Sequence, residues 1–410
     1  MSIDPVPTPP RHDKRLYLLA LGSLTAVQML STIAFNAGPV LAPAAAADLG
    51  VQPDDVAYFV SIVYVVSIGT AMAGGAMSLR LGPIRLSQLA MLVSAAGCAA
   101  LAAGSLWLAI LAAMLIGLGG GPMTAASSQI LAHVTPPRLS NITFSIKQSG
   151  VPLAFALAGA LIPPLVTIWG WQAASWAIAV LCVVTALAIE PLRPLYDTSR
   201  DSRLPLVPSL ARILEPLGMA WRDPVLRPLC LAGMCFSSLQ ATIVGFTLLY
   251  AGADLGMDYV TAGILLAVAT SAGMVGRVLW GAVADVVRRP LGTLALLGAI
   301  MTAGSFAFAL AEPGWPRWLL YGVAAILGGT AIGWNGVFIS ECARRAPPGR
   351  AGEFVGATSF FVFVGPVLWP LIYRGLLYVT HAYPVGFVVL AVATGLSTLA
   401  ILRLIGRGER

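Results

Sequence analysis

The amino-acid sequence predicts an all-α membrane protein of about twelve transmembrane helices in two pseudo-symmetric six-helix bundles. Composition, the spacing of apolar segments and internal repetition predict it. The chain has 410 residues, 58% hydrophobic and only 10% charged, with a mean hydropathy of +0.87. Soluble domains carry about 25% charged residues, so this chain belongs in lipid. Its net charge of +7 does not point to nucleic acid, because binders of that kind gather basic groups on one soluble face and these are scattered between apolar stretches. Cys98, Cys182, Cys230, Cys235 and Cys342 lie in or at the ends of apolar stretches without metal-ligand spacing. They read as small apolar residues, and no metal or cofactor is expected.

A bilayer core takes about 20 apolar residues as a helix. Segments of that kind are expected at 16–41, 56–79, 83–104, 106–133, 141–168 and 171–190, then at 227–250, 259–283, 291–311, 316–342, 353–378 and 384–404. The first follows Arg11, Lys14 and Arg15 but is too long for a signal-peptide core of about 7 to 15 residues. The stretch 191–224, rich in Pro, Arg, Asp and Ser, reads as a linker between halves. A flexible tether is its expected form, with an amphipathic surface segment over 206–219 as the alternative. The predicted organisation is a tail over 1–15, bundles over 16–190 and 225–404, the linker over 191–224, and a tail over 405–410.

Basic residues of short loops stay on the cytoplasmic side. Arg80, Arg85, Arg138, Arg288, Arg289, Arg344, Arg345 and Arg350 fall in alternate connections, as do the arginines between 193 and 227. The opposite loops hold Asp48, Asp54, Asp55, Asp254, Asp258 and Glu312, with Arg317 the clear basic exception. This predicts a multi-pass protein of the inner cell membrane with both termini cytoplasmic, expected to act as a monomer.

Three pairs of segments repeat at a nearly constant offset, a sign of duplicated halves. Ser23-Leu-Thr-Ala-Val-Gln28 matches Phe236-Ser-Ser-Leu-Gln240. Ile116-Gly-Leu-Gly-Gly-Gly121 matches Leu327-Gly-Gly-Thr-Ala-Ile-Gly333. Pro136-Pro137-Arg138 matches Pro347-Pro348-Gly349-Arg350. The loop after the eighth segment reads Gly281-Ala-Val-Ala-Asp285-Val-Val-Arg288-Arg289, and its counterpart after the second reads Gly75-Ala-Met-Ser-Leu79-Arg80-Leu-Gly82-Pro-Ile-Arg85. On these residues the chain resembles the major facilitator superfamily, whose halves each carry a G-x-x-x-D-[RK]-x-G-[RK]-[RK] loop. The second copy lacks its second glycine, and the first has Leu79 in place of the acid.

The resemblance implies alternating access, with these loops latching the halves on the cytoplasmic side. It makes Arg80, Asp285, Arg288, Arg289, Glu341 and Glu353 the gating candidates, with a cluster of Asp285, Arg288, Arg289 and Glu341 in the second half and Arg80 reaching Glu353. An acid at a helix end near the membrane surface needs a cation, because hydration there is incomplete. Ordinary solvated loop charge is the other reading.

Ionisable groups inside the bilayer are costly and mark candidate sites. Lys147 lies about 9 Å past the cytoplasmic start of the fifth segment, and Arg277 about 12 Å from the same side in the eighth, at 1.5 Å per residue. The resemblance places those helices on opposite walls of a central cavity, and Gly276-Arg277-Val-Leu-Trp280 looks like the arginine segment of organic-anion and monocarboxylate porters. A guanidinium suits a carboxylate through two parallel hydrogen bonds. Against this, Lys147 can snorkel to the surface, and Arg277 can bond broken-helix carbonyls or Glu341. Gln28, Asn36, Gln148, Gln240 and Asn335 complete the substrate-binding candidates, with Trp334 as a wall; interhelical hydrogen bonds and packing are the alternative roles. Trp169 and Trp171 read as interface anchors.

No Asp or Glu sits mid-helix, so no carboxylate proton carrier is visible, and a coupling proton would travel with a weak-acid substrate or on Lys147. The expected function is secondary active transport of a small organic anion, a monocarboxylate, by symport. A multidrug or hydrophobic-metabolite exporter on the same fold is the first alternative. A non-transporting membrane sensor is the second, though no soluble domain is seen to carry a signal. No nucleophile, metal cluster or phosphate loop suggests an enzyme.

Overall fold

The computed structural model describes residues 14–136, 139–197, 200, 201, 203, 205, 206, 210–345 and 351–408. Helices α1 (Lys14–Phe35) and α2 (Ala37–Leu49) make the first pass, and α3 (Val56–Leu81) and α4 (Pro83–Ala102) the next two. Helices α5 (Leu106–Gly120) and α6 (Met123–Val134) share the fourth, and α7 (Ser140–Ala188) follows. Short α8 (Arg193–Tyr196) and α9 (Leu210–Arg222) join the halves. The second half comprises α10 (Leu226–Ala253), α11 (Tyr259–Val287), α12 (Pro290–Ala309), α13 (Arg317–Ala331) continued by α14 (Asn335–Arg345), α15 (Ala351–Thr380) and α16 (Tyr383–Gly408). Among the described residues there is no strand.

Among the described residues eleven helical stretches are long and apolar enough to span a bilayer, where the sequence predicts about twelve segments. The difference lies in α7. Its 49 residues would run about 74 Å if straight, more than twice a hydrocarbon core of about 30 Å. The helix instead folds back at Gly170, where φ is 82° and ψ 163°, a conformation open essentially to glycine alone. Side-chain bonds trace the return. Thr143, near the start of α7, meets the Tyr17 hydroxyl at 2.7 Å, and the Trp171 indole just past the bend donates to Asp48 at 2.7 Å. Ala186 at the far end accepts from Gln88 at 2.9 Å, beside the start of α4. One helix thus supplies the fifth and sixth passes.

The fourth pass breaks at Gly121-Pro122 and the tenth at Ile332-Gly333-Trp334, the glycine-rich segments that repeat in sequence. Both breaks sit against a neighbouring glycine. Gly74 of α3 faces Pro122, with 3.1 Å between its ideal Cβ position and the Pro122 Cα, and a Cβ on Gly333 would fall 2.9 Å from the Gly276 carbonyl carbon of α11. The first pass is disturbed at Asn36, because Pro39 has no N–H for the Phe35 carbonyl; the helix then runs through the alanines to Leu49, eight residues beyond the expected end, and a left-handed cap at Gly50, φ 68°.

The described parts of the joining segment are bonded to both bundles. The Tyr196 hydroxyl donates to the Leu16 carbonyl at 2.7 Å, Asp201 N to the Leu79 carbonyl at 2.9 Å, and Trp221 of α9 stacks on Phe361 with centroids 5.3 Å apart. Outward faces carry exposed Leu, Val and Ile, and Trp107, Trp169, Trp318 and Tyr378 are exposed at pass ends remote from Lys14, as an aromatic belt requires. Trp171 is not part of it: it is buried on Asp48. Below, the end of the molecule bearing Lys14, Arg80, Arg288 and Arg289 is the arginine face.

Substituting Gly170→Ala is expected to destabilise the protein by about 1–3 kcal/mol through backbone strain alone, since the nearest atom to a new Cβ, Gln172 Oε1, is 3.6 Å away. Thermal melts in detergent read this out; an unchanged melt means that glycine does not set the bend.

Candidate functional site

Lys147 and Arg277 converge on one residue, Gln148. The Lys147 ammonium is 1% exposed, so it does not snorkel, and its Nζ lies 3.4 Å from Gln148 Oε1. Arg277 donates from Nη1 to the Gln148 carbonyl at 3.1 Å and from Nε to the Ile332 carbonyl at 3.1 Å. Both carbonyls lack their helical donor. Residue 152, which would bond the Gln148 carbonyl, is proline and has no N–H; Ile332 sits at the break between α13 and α14. Arg277 therefore fills two vacancies in two halves of the molecule. A guanidinium has five N–H donors, so other N–H groups remain for a further acceptor.

The remaining candidates are placed unevenly. Gln28 is 8% exposed, with Oε1 lacking a partner. Asn36 turns onto its own helix, donating to the Thr32 carbonyl at 2.8 Å. Gln240 and Asn335 are half-buried, Asn335 opening α14. Trp334, expected as a wall, is instead fully buried between Phe236 and Phe338, with centroids 5.6 and 5.2 Å away, where it packs α14 on α10.

The expected second-half gating cluster does not assemble as a unit. Glu341, fully buried, binds Arg344 at 2.8 Å and Arg345 at 2.5 Å, not Arg288 or Arg289. Asp285, Arg288 and Arg289 are exposed. Arg80 is half-buried at the end of α3, and the Glu353 side chain lies outside the described residues. In the first half, where the acids are missing, a neutral bond joins the same elements: Ser78 Oγ lies 2.5 Å from Gln129 Oε1.

The ion cluster that crosses the halves is at the other face, and sequence reasoning missed it. Arg374 Nε of α15 lies 3.0 Å from Asp54 Oδ2 and 2.9 Å from Asp55 Oδ1, all three side chains mostly buried. Asp55 Oδ2 is itself fixed by Gln52 N at 2.9 Å. Alongside, Ser61 Oγ donates to the Val367 carbonyl at 2.7 Å, and the Tyr259 hydroxyl to the Val40 carbonyl. Deeper in, Tyr64 lies between Phe35 and Phe363, centroids 5.0 and 6.3 Å away. The available signal was Arg374 itself, a basic residue inside an apolar segment like Arg277.

The profile of the Major Facilitator Superfamily matches residues 24–370. The chain belongs to that superfamily. An uncharacterized MFS-type transporter of Mycobacterium tuberculosis, found in strains CDC 1551 / Oshkosh and ATCC 25618 / H37Rv, is 26% identical over 299 residues. That match covers 72% of this chain and 64% of the relative, so the chain spans slightly under two thirds of these relatives' length. Among solved structures, a POT family transporter in complex with 5-aminolevulinic acid superposes with a TM-score of 0.72 at 14% identity, covering 93% of this chain and 95% of that one. A mutant POT peptide transporter in complex with sulfate gives 0.73 at 16%, covering 94% of each. These likenesses establish the superfamily fold.

Arg374→Gln is expected to loosen the face opposite the arginines. With Ser61→Cys as probe, alkylation by a membrane-impermeant maleimide should quicken about tenfold, the equivalent of about 1.4 kcal/mol. Equal rates with and without Arg374 would show that the cluster does not hold this end closed.

Proposed function

We propose that the chain is a secondary active transporter that moves a small organic anion, a monocarboxylate, by alternating access. The observation that carries this reading is Lys147: a buried ammonium whose one hydrogen-bond contact among the described residues is an amide oxygen at 3.4 Å, beside a second cation. A buried charge left without a counter-charge costs several kcal/mol, and a carboxylate between Lys147 and the spare N–H groups of Arg277 removes that cost.

On this reading the site works as a charge-compensated hinge. Arg277 holds α7 to the break of α13–α14 through backbone carbonyls, so substrate meets a guanidinium already oriented. Carboxylate binding supplies Lys147 with the acceptor it lacks, which favours the state in which both halves close on the anion. The Arg374 cluster and the Ser61 and Tyr259 bonds are the closed gate of the opposite face. With the arginine face cytoplasmic by the positive-inside rule, the conformation is closed to the outside, in the cell inner membrane with both ends of the chain in the cytoplasm. A coupling proton would enter with the weak acid or on Lys147 rather than on a membrane carboxylate. The exporter alternative draws on one observation, the Phe35, Tyr64 and Phe363 rings, which offer an aromatic surface for hydrophobic cations.

Proteoliposome uptake tests this. Labelled monocarboxylates should accumulate and be displaced competitively by other small carboxylates, not by cationic dyes. Lys147→Gln should raise KM about tenfold or more, the loss of one charge-assisted bond, with its melting temperature held or raised. Arg277→Ala should abolish uptake and also lower the melt, because it reopens two carbonyls. Carboxylate transport undiminished in Lys147→Gln, or transport of cationic dyes alone, would sink the anion assignment.

A further inference from the structure

The third pass of each half begins on the arginine face, and the two beginnings differ in what covers them. In the first half Pro83 opens α4, and the Asp197 carboxylate lies on the helix end, accepting from Ile84 N at 2.7 Å and Arg85 N at 3.0 Å. An anion there is stabilised by free amides and by the helix dipole. In the second half Pro290 opens α12, Leu291 and Gly292 take the places of Ile84 and Arg85, the N-cap residue Arg289 makes no side-chain cap bond, and among the described residues no carboxylate takes the place of Asp197.

In place of a carboxylate there is a pocket of about 520 Å³. Arg288, Arg289, Arg344 and Arg345 line it around the start of α12, with Leu404 and Ile405 of α16 forming an apolar side. The adjoining acids leave Arg288 and Arg289 as the pocket's unneutralised cations, since Glu341 pairs with the other two arginines and Asp223 turns to backbone, its Oδ1 accepting from Val225 N and Leu226 N, each at 2.8 Å. Asp285 is exposed on α11, and among the described residues Arg288 and Arg289 have no carboxylate partner. Arg288 also holds a left-handed conformation, φ 54°, which few residues with a side chain adopt and which closes α11 directly beside α12.

We propose that this pocket binds the phosphate of an anionic phospholipid headgroup, with the arginines as its ligands and the α12 amides beneath it. Arginine forks match phosphate oxygens in pairs, and basic pockets between transmembrane helices take such headgroups. A lipid fits better than free phosphate because of what surrounds the mouth. Val286 and Val287, next to the arginines, are 82% and 52% exposed, and Leu402 on α16 is 48% exposed. Apolar surface flanks the pocket on both helices, where an acyl chain would lie. The lipid occupies in the second half the position that Asp197 occupies in the first. The site shares no residue with Lys147 and Arg277, so it stands apart from the transport assignment.

Thermal melts of the purified full chain in detergent test this, with phosphatidylglycerol, phosphatidylcholine and inorganic phosphate as probes. Phosphatidylglycerol should raise the melting temperature saturably, and the other two should not. Arg288→Gln/Arg289→Gln should weaken that response about tenfold, the loss of one or two charge-assisted bonds, while Arg317→Gln on the opposite face leaves it intact. Equal stabilisation by phosphatidylcholine, equal stabilisation by inorganic phosphate, or an undiminished response in the double variant would each overturn the proposal. Should that variant not fold, the three-probe comparison on the native chain and the single Arg289→Gln variant decide it.

Discussion

The contact on which the middle of the molecule depends is a guanidinium filling vacancies left by helix breaks. Proline at 152 strips the Gln148 carbonyl of its donor, and the interruption after α13 strips the Ile332 carbonyl; Arg277 supplies both at 3.1 Å. Unsatisfied carbonyls in a bilayer cost several kcal/mol each, so the breaks and the arginine require one another. The same geometry explains why a cation can be held deep in the membrane with no acid paired to it. Its charge is spread onto carbonyl dipoles, and the neighbouring ammonium of Lys147 is left as the group with unmet demand.

The two ends of the molecule are held by different chemistry. On the arginine face Glu341 is satisfied within its own helix, and the first half uses a neutral Ser78–Gln129 bond where an acid would need a cation. On the opposite face a single arginine bridges two carboxylates across the halves. Asp54 and Asp55 lie side by side on the first half and Arg374 on the second, so this cluster joins the halves only through that one guanidinium. The glycine contacts at 74, 276 and 333 let helices approach backbone to backbone within each half, and Gly159 against Gly263 does the same between α7 and α11 across the halves.

Much of this was legible in residue order. Apolar run length located the passes, the repeated Gly-rich segments marked the two broken helices, and the rarity of charge singled out Lys147 and Arg277. Three features were hidden for physical reasons. The turn between the fifth and sixth segments is expected at 169–170, but residue order does not show that one glycine makes it with no loop between the arms. Arg374 stands near a helix end, where an arginine ordinarily reaches water, and only the approach of α3 from the other half encloses it. Trp334 follows the break of the tenth pass, and side-chain direction there cannot be read from helical period; it turned inward onto Phe236 and Phe338. The alternative for Arg277, broken-helix carbonyls, was visible in advance because proline and glycine announce which acceptors will be free.

The hairpin in α7 has a mechanical consequence. A loop between two passes absorbs relative motion; a single left-handed glycine absorbs almost none. The arm before Gly170 carries Lys147 and the acceptor of Arg277, while the arm after it is fastened to α4 through Ser175, whose hydroxyl meets the Cys98 carbonyl at 2.8 Å, and through Gln88. Any tilt of the first bundle therefore reaches the ammonium about one fulcrum, along an arm that can bend only where Pro152, Pro163 and Pro164 remove helical donors.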